Sequence, residues 1–474
     1  MNFLKKLTPF TLPFLLSACG DDDIEASLYT APSSYDFPSR TNTASQSSVN
    51  YREATTRLVL IKELEHFIGS DYLQKLGTSL VNDLGTIAAL SRMTEILNAI
   101  YETGTKGGAL SLASHNLYNL YDPNNEETSG STSIKGMSFL NAPPLYSSLT
   151  ANVNIKDAMP GIITSIPNRQ EENSLGEFYG WYITNNLDGD TYADIMVTGW
   201  LEMIAKLAID GDDETKFIQG NNNYQSLIIS FLSTSIPYFQ IANVHLNPSQ
   251  GLNAGNSILN QLTDYTPLEH QWDLAFGYYG TMRSANNESL DTIISIPSTP
   301  IMDLNSLYTG SVFDMAAATA QRDNDATFHD VYMSENIVNN FLQGREITTL
   351  DNPDLVDNDK QALINSKAIS IVTGWEKALA ATLVHHINRT IDNGASLNDT
   401  YKMSWSNMKA HALALQFSPH STIDLDTLKD IHNAIGQQPH SRSSTINIYL
   451  ADILEARDTI QAIYNFSDEN VQRW

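Results

Sequence analysis

The sequence predicts an all-α protein, an elongated bundle-type body of one or two helical halves. Three observations carry that reading. Apolar residues recur at three-and-four spacing through most of the chain, prolines fall where helices would start, and segments that alternate apolar with polar are few. Length alone, at 474 residues, would suggest ~3 domains. No linker-like break interrupts the helical pattern after Val49, so a single body over residues 49–474 is expected.

The N-terminus has a different character. Lys5 and Lys6 precede an apolar run from Leu7 to Leu16, and Leu16-Ser17-Ala18-Cys19 is the small-residue pattern that precedes a cleaved lipoprotein cysteine. Residues 1–18 are therefore read as a secretion signal and Cys19 as the residue that takes the lipid. The run is far short of the ~20 residues needed to span a bilayer, and nothing later in the chain looks long and apolar enough. Cys19 is the only cysteine, which removes disulfides, cysteine metal sites and a cysteine nucleophile from consideration. Gly20 directly after it does not resemble an inner-membrane retention signal, so the outer membrane is the expected location, with the membrane as partner through the lipid. Removing the signal takes Lys5 and Lys6 and leaves 25 basic against 54 acidic residues, a formal charge of −29. Such a surface repels nucleic acid and anionic membranes.

Residues 20–47 are rich in Ser, Thr, Asp, Ala and Pro without apolar period, so residues 19–48 are expected to be a flexible tether. Leu60, Ile61, Leu64, Phe67 and Ile68 then place an amphipathic helix over Tyr51 to Ile68. Similar stretches run from Leu84 to Tyr101, Leu175 to Asn185, Tyr192 to Ile209 and Tyr224 to Phe239. Pro353 sits where a first helical residue should, and the period continues from Leu355 to about Ile391, with Gly374 as a place to kink. In the last long helix Tyr449, Ile453, Ala456, Ile460 and Ile463 share one face, while Asp452, Glu455 and Asp458 fall elsewhere. Asp122 to Pro160 and Thr281 to Ser311 are rich in Asn, Ser, Gly and Pro and read as long loops.

Several segments, in order, carry a resemblance: Tyr35-Asp36-Phe37 with Ser47-Ser48-Val49, Glu269-His270-Gln271-Trp272-Asp273-Leu274-Ala275-Phe276-Gly277-Tyr278, Phe341-Leu342-Gln343-Gly344-Arg345, Trp375-Glu376-Lys377 leading to His385-His386-Ile387-Asn388, and Ala456-Arg457-Asp458 to Trp474. Together they resemble a lipoprotein family catalogued as domain of unknown function 4856, similar in style to the imelysins. The resemblance implies a helical cell-envelope lipoprotein with a link to acquisition of iron or another metal, and no established reaction. The family pattern often has a second His at the place of Gln271 and a Glu at that of Leu274, and this chain lacks both.

The residues themselves give further expectations. Thr266-Pro267-Leu268-Glu269 reads as a helix start, with Thr266 as cap and Glu269 reaching back to it. His270 and Asp273 then lie three apart on one face, near enough to hydrogen-bond or to share a cation such as iron or zinc, with Glu269 beside them and Trp272, Phe276 and Tyr278 as an aromatic pocket wall. Two ligands do not make a site, and His385, His411 or Glu376 are the candidates for a third. His386 falls within ~20° of Trp375 on the helical wheel and reads as a core histidine. The acidic runs at Asp188-Gly189-Asp190 with Asp194, at Asp210 to Glu214, and at Asp323, Asp325 and Asp330 lack the glycine and glutamate positions of a calcium loop and read as solvated turns and caps. The chain holds no His-Glu-x-x-His, Gly-x-Ser-x-Gly or Walker loop, and Gly104-Thr105-Lys106-Gly107-Gly108 is a plain glycine-rich turn. A binding or accessory protein of the envelope, acting in metal uptake, is thus the expectation. Its rivals are a metal-dependent hydrolase of imelysin type and a scaffold that docks a second envelope protein.

Overall fold

In a computed structural model of the chain, residues 32–39, 47–69, 71–102, 138–139, 153–160, 179–181, 192–211, 217–219, 221–257, 264–283, 301–302, 314–326, 331–349, 357–419 and 421–474 are described. The signal, Cys19 and Pro353 lie outside them. Among these residues the body is all-α. In chain order the helices are α1 (Arg52–Gly69), α2 (Asp71–Leu84), α3 (Thr86–Glu102), α4 (Tyr192–Asp210), α5 (Tyr224–Phe239), α6 (Pro267–Tyr279), α7 (Asp314–Asp325), α8 (Met333–Thr349), α9 (Asp357–Gly394), α10 (Asp399–Ala414), α11 (Leu425–Ile435), α12 (Ile446–Tyr464) and α13 (Asp468–Arg473).

The 38-residue α9 is the spine, with α8, α10 and α12 packed along it. It runs unbroken through Gly374, where the missing side chain lets Ile337 of α8 approach. Helix α12 buries Ile453, Ala456 and Ile460 and exposes Asp452, Glu455 and Asp458, as its periodicity predicts. Helix α5 passes through Pro237 into a π-helical segment, Gln240–His245. Proline offers no N–H to the preceding turn, and a wider helical turn follows directly on that gap. The continuous stretch Tyr224–His245 is long and apolar enough to cross a membrane, contrary to the sequence reading. It is a core helix, with 78% of its apolar window buried inside the protein.

Four other expectations change. The tether expected over residues 19–48 is not free throughout, because Tyr35 and Phe37 are buried in the hydrophobic core and Pro38 pairs with Ser47 as an isolated bridge. Arg283 grips this arm through Asp36 at 2.5 Å, and Ser39 donates to Asp264 at 2.8 Å. The helix expected from Leu175 to Asn185 meets a turn at Tyr179, Gly180 and Trp181, where Gly180 has φ +97°. A left-handed glycine of this kind ends a helix rather than continuing it. The two long loops meet in part: Ser138–Phe139 and Ile301–Met302 form a two-residue parallel pair. Finally, Asp194 and Asp323 are buried rather than solvated. Asp194 accepts from Tyr101 at 2.8 Å and pairs with Lys156 at 3.2 Å, while Asp323 caps α8 through the N–H groups of Met333 and Ser334. Burial raises the Asp323 pKa despite those caps.

Candidate functional site

Helix α6 starts as its sequence predicts. Thr266 accepts from the Glu269 N–H at 3.2 Å, and the Glu269 carboxylate accepts from the Thr266 N–H at 2.7 Å, a reciprocal capping box with Pro267 in the first turn. The box aims the other Glu269 oxygen at Arg345 of α8, whose NH1 lies 3.2 Å away. One turn further along α6, Asp273 accepts from Arg345 Nε at 2.8 Å, from the Tyr35 hydroxyl at 2.9 Å and from the Asn50 N–H at 2.9 Å. Arg345 also donates to Ser48 at 2.8 Å and lies over the Phe37 ring at 4.9 Å. All three charged side chains are fully buried.

This clasp engages the two carboxylates, Glu269 and Asp273, that the sequence reading set beside His270 as ligands for a metal. The cation the two carboxylates share in this structure is a guanidinium, joined to Asp273 by a short, charge-assisted hydrogen bond and to Glu269 as an ion pair at 3.2 Å. Burial alone would lower the Arg345 pKa, but Asp273 and Glu269 outweigh it and the net shift is upward. Tyr35 is pushed well above its usual value, first by burial and then by Asp273. His270 does not join them. Its Nδ1 meets the Asn50 carbonyl at 3.0 Å, its ring stacks on Tyr265 at 4.7 Å, and burial lowers its pKa.

The expected pocket wall is core. Phe276 stacks on Tyr35 with centroids 3.7 Å apart, Trp272 donates from Nε1 to the Phe341 carbonyl at 2.9 Å, and Tyr278 takes a 2.6 Å hydrogen bond from Arg57. Gly344 makes the Trp272 contact feasible, since a Cβ there would fall 1.9 Å from the Trp272 ring.

Of the three candidate third ligands, Glu376 is committed elsewhere. Fully buried in α9, it accepts from the Tyr464 hydroxyl and the Thr422 N–H at 2.7 Å each and from the Tyr238 hydroxyl at 3.1 Å. It therefore ties α9 to α5, α12 and the turn before α11. His385 and His411 are instead brought into one row by the residue assigned to the core. The His386 ring lies 5.1 Å from that of His385 and 4.4 Å from that of His411, and burial is the largest influence on its imidazole. The Nδ1 of His385 meets the Trp474 carbonyl at 2.7 Å, and that of His411 meets the Asn407 carbonyl at 2.8 Å. A carbonyl only accepts, so both Nδ1 atoms carry the proton and both Nε2 atoms keep a lone pair. Burial lowers all three pKa values, that of His411 to about 4. Among the described residues, no group of three or more His, Cys, Asp or Glu side chains is placed to hold a metal ion as the rings now stand.

Among the buried titratable groups with no counterpart in the sequence reading are His245 and Lys409. His245, in the π-helical segment, meets the Gln271 side chain at 2.7 Å through Nδ1 and stacks on Tyr278, and its pKa falls to about 4 through burial. Lys409, fully buried in α10, donates to the Gly436 carbonyl at 2.6 Å, and burial lowers its pKa to about 7. Arg345 could have been singled out: Phe341, Leu342, Arg345 and Thr348 share one helical face, which places a charge on an apolar stripe.

An all-α protein whose N-terminal arm is locked into its core by an arginine–carboxylate clasp is the class these observations define. Residues 198–393, from α4 through α9, match the family model described as Domain of unknown function (DUF4856). The resemblance to that family, though not the likeness to the imelysins, is thus shown over that stretch, which holds Glu269, Asp273, Arg345, Glu376, His385 and His386 but neither the arm nor His411. Comparison with curated proteins and with solved structures finds no match.

Proposed function

We propose that the chain is a cell-envelope lipoprotein, held at the outer membrane through Cys19, that serves as a binding or accessory protein in metal acquisition. The Leu16 to Cys19 pattern supports the anchor, and the family resemblance supports the process. The observation that carries binding over catalysis is the clasp. The acidic groups of the most distinctive motif, Glu269 and Asp273, spend their hydrogen bonds on Arg345, Tyr35 and backbone. A general acid or a metal-water catalyst needs such groups facing an open coordination or substrate position. The motif works instead as the fastening of the body.

The test has two arms. Metabolic acyl labelling with membrane fractionation should mark the wild type and lose the label in Cys19→Ser. Equilibrium dialysis of the purified chain against ferrous iron and zinc should show stoichiometric uptake. An unlabelled wild-type chain ends the anchor, and a chain that takes up neither metal ends the acquisition reading.

A further inference from the structure

Resting on that metal-handling reading, we propose that the metal site is the histidine row His385, His386 and His411 at the seam of α9 and α10, and that it takes a borderline divalent transition metal of the zinc class. The argument starts from what the backbone does to the outer two rings. Each has its Nδ1 proton fixed on a carbonyl, at 2.7 Å for His385 and 2.8 Å for His411. This is the arrangement that orients metal-bound imidazoles, since it fixes the tautomer and leaves Nε2 as donor to the metal. His386 lies between them, in ring contact with both. Imidazole nitrogen is the ligand type that suits zinc, nickel, copper and iron.

In the present arrangement the rings pack on one another and do not converge on one point. His386 is the member that can change this. Its ring meets His385 edge-on, at 69° between planes, and His411 at a 46° tilt, and χ2 of histidine is a soft torsion with a broad well. Its rotation would exchange ring packing for coordination. The charged neighbours are of both signs: Asp325 acts on His385 and Asp314 on His411, while Arg322, itself held by Asp325 at 2.9 Å, acts on all three rings and Arg389 on His385 and His386 with the opposite sign. Lys409 is also on α10, but its ammonium points to Gly436.

The experiment is titration of the full mature chain with zinc chloride, followed by cobalt substitution read by visible absorption. One equivalent should bind, and cobalt should give the d–d bands of a nitrogen-ligated ion. His386→Gln and His411→Gln should each weaken zinc binding at least tenfold, while His270→Ala leaves it unchanged. Far-UV circular dichroism of each variant checks that the helices persist, and His385→Gln supplies a further arm if one of the others fails to fold. Zinc that binds equally to the wild type and the row variants overturns this site but leaves the metal-handling reading standing. Zinc and ferrous iron that bind nowhere overturn both.

Discussion

Arg345 of α8 donates from Nε to Asp273 of α6 at 2.8 Å, with both side chains fully buried and 72 positions apart in the chain. A pair of this kind stabilises little against a well-packed apolar alternative, yet losing one member strands the other's charge out of water. Asp273→Ala and Arg345→Ala are each expected to destabilise by about 3–5 kcal/mol in urea unfolding. Arg345→Lys should fall between them and the wild type, because a lysine cannot reach Asp273, Glu269 and Ser48 together. Single variants as stable as the wild type would show that the clasp carries no structural weight.

The arm that meets this clasp should behave as core, not as tether. Tyr35 stacks on Phe276 and donates to Asp273, so Tyr35→Ala is expected to cost about 3–5 kcal/mol, the usual loss for a buried aromatic ring. Tyr35→Phe keeps the stack and removes only the hydroxyl, for about 1–3 kcal/mol. Thermal melts of the two variants separate ring from hydrogen bond. Equal effects would mean that the stack contributes nothing.

The contrast between arm and helices shows what the sequence makes legible. Tyr224–Phe239 and Pro267–Tyr279 are visible because spacing and caps are local signals, readable within one turn. Burial of the arm is a long-range event: Tyr35 and Phe37 sit among Ser, Asp and Pro, and the partners lie more than 200 positions away, at Asp273 and Phe276 for Tyr35 and at Arg345 for Phe37. The same limit governs the motif. Spacing correctly put Glu269, His270 and Asp273 on one short stretch of helix, but whether a metal or a guanidinium sits opposite depends on α8, which only the fold brings there. For His386 the sequence offers only the helical wheel. The wheel places it near Trp375 but cannot foresee His411 arriving from α10.

Stability should fall with acid through His245. Burial lowers its folded pKa to about 4, against about 6.5 when unfolded. Above pH 6.5 neither state binds the proton and His245 contributes nothing to the pH dependence. As pH drops from 6.5 toward 4 the unfolded chain takes up the proton first, so stability is lost across that window at up to about 1.4 kcal/mol per pH unit, roughly 3 kcal/mol in all. His245→Gln should flatten this part of the profile. Urea midpoints measured between pH 4 and 8 decide it, and an unchanged slope in the variant would assign the acid sensitivity to other groups.

Lys409 should act in the alkaline range. Its folded pKa is about 7, against about 10.4 in the unfolded chain, so between those values the unfolded state holds a proton that the folded state does not. That difference opposes folding near neutrality and fades as pH rises, which makes wild-type stability climb from pH 7 toward 10. Lys409→Met removes the titration while keeping an unbranched chain of similar size in the buried slot beside Gly436. It also gives up the single hydrogen bond to the Gly436 carbonyl, at a cost of about 1–3 kcal/mol for an acceptor left unsatisfied. The variant is therefore expected to gain most on the wild type near pH 7 and to lose that advantage by pH 10, where only the missing hydrogen bond remains. Guanidinium unfolding of both proteins at pH 7, 8.5 and 10 measures the crossover. A difference between them that stays constant with pH would show that Lys409 keeps its ordinary proton affinity in the folded protein.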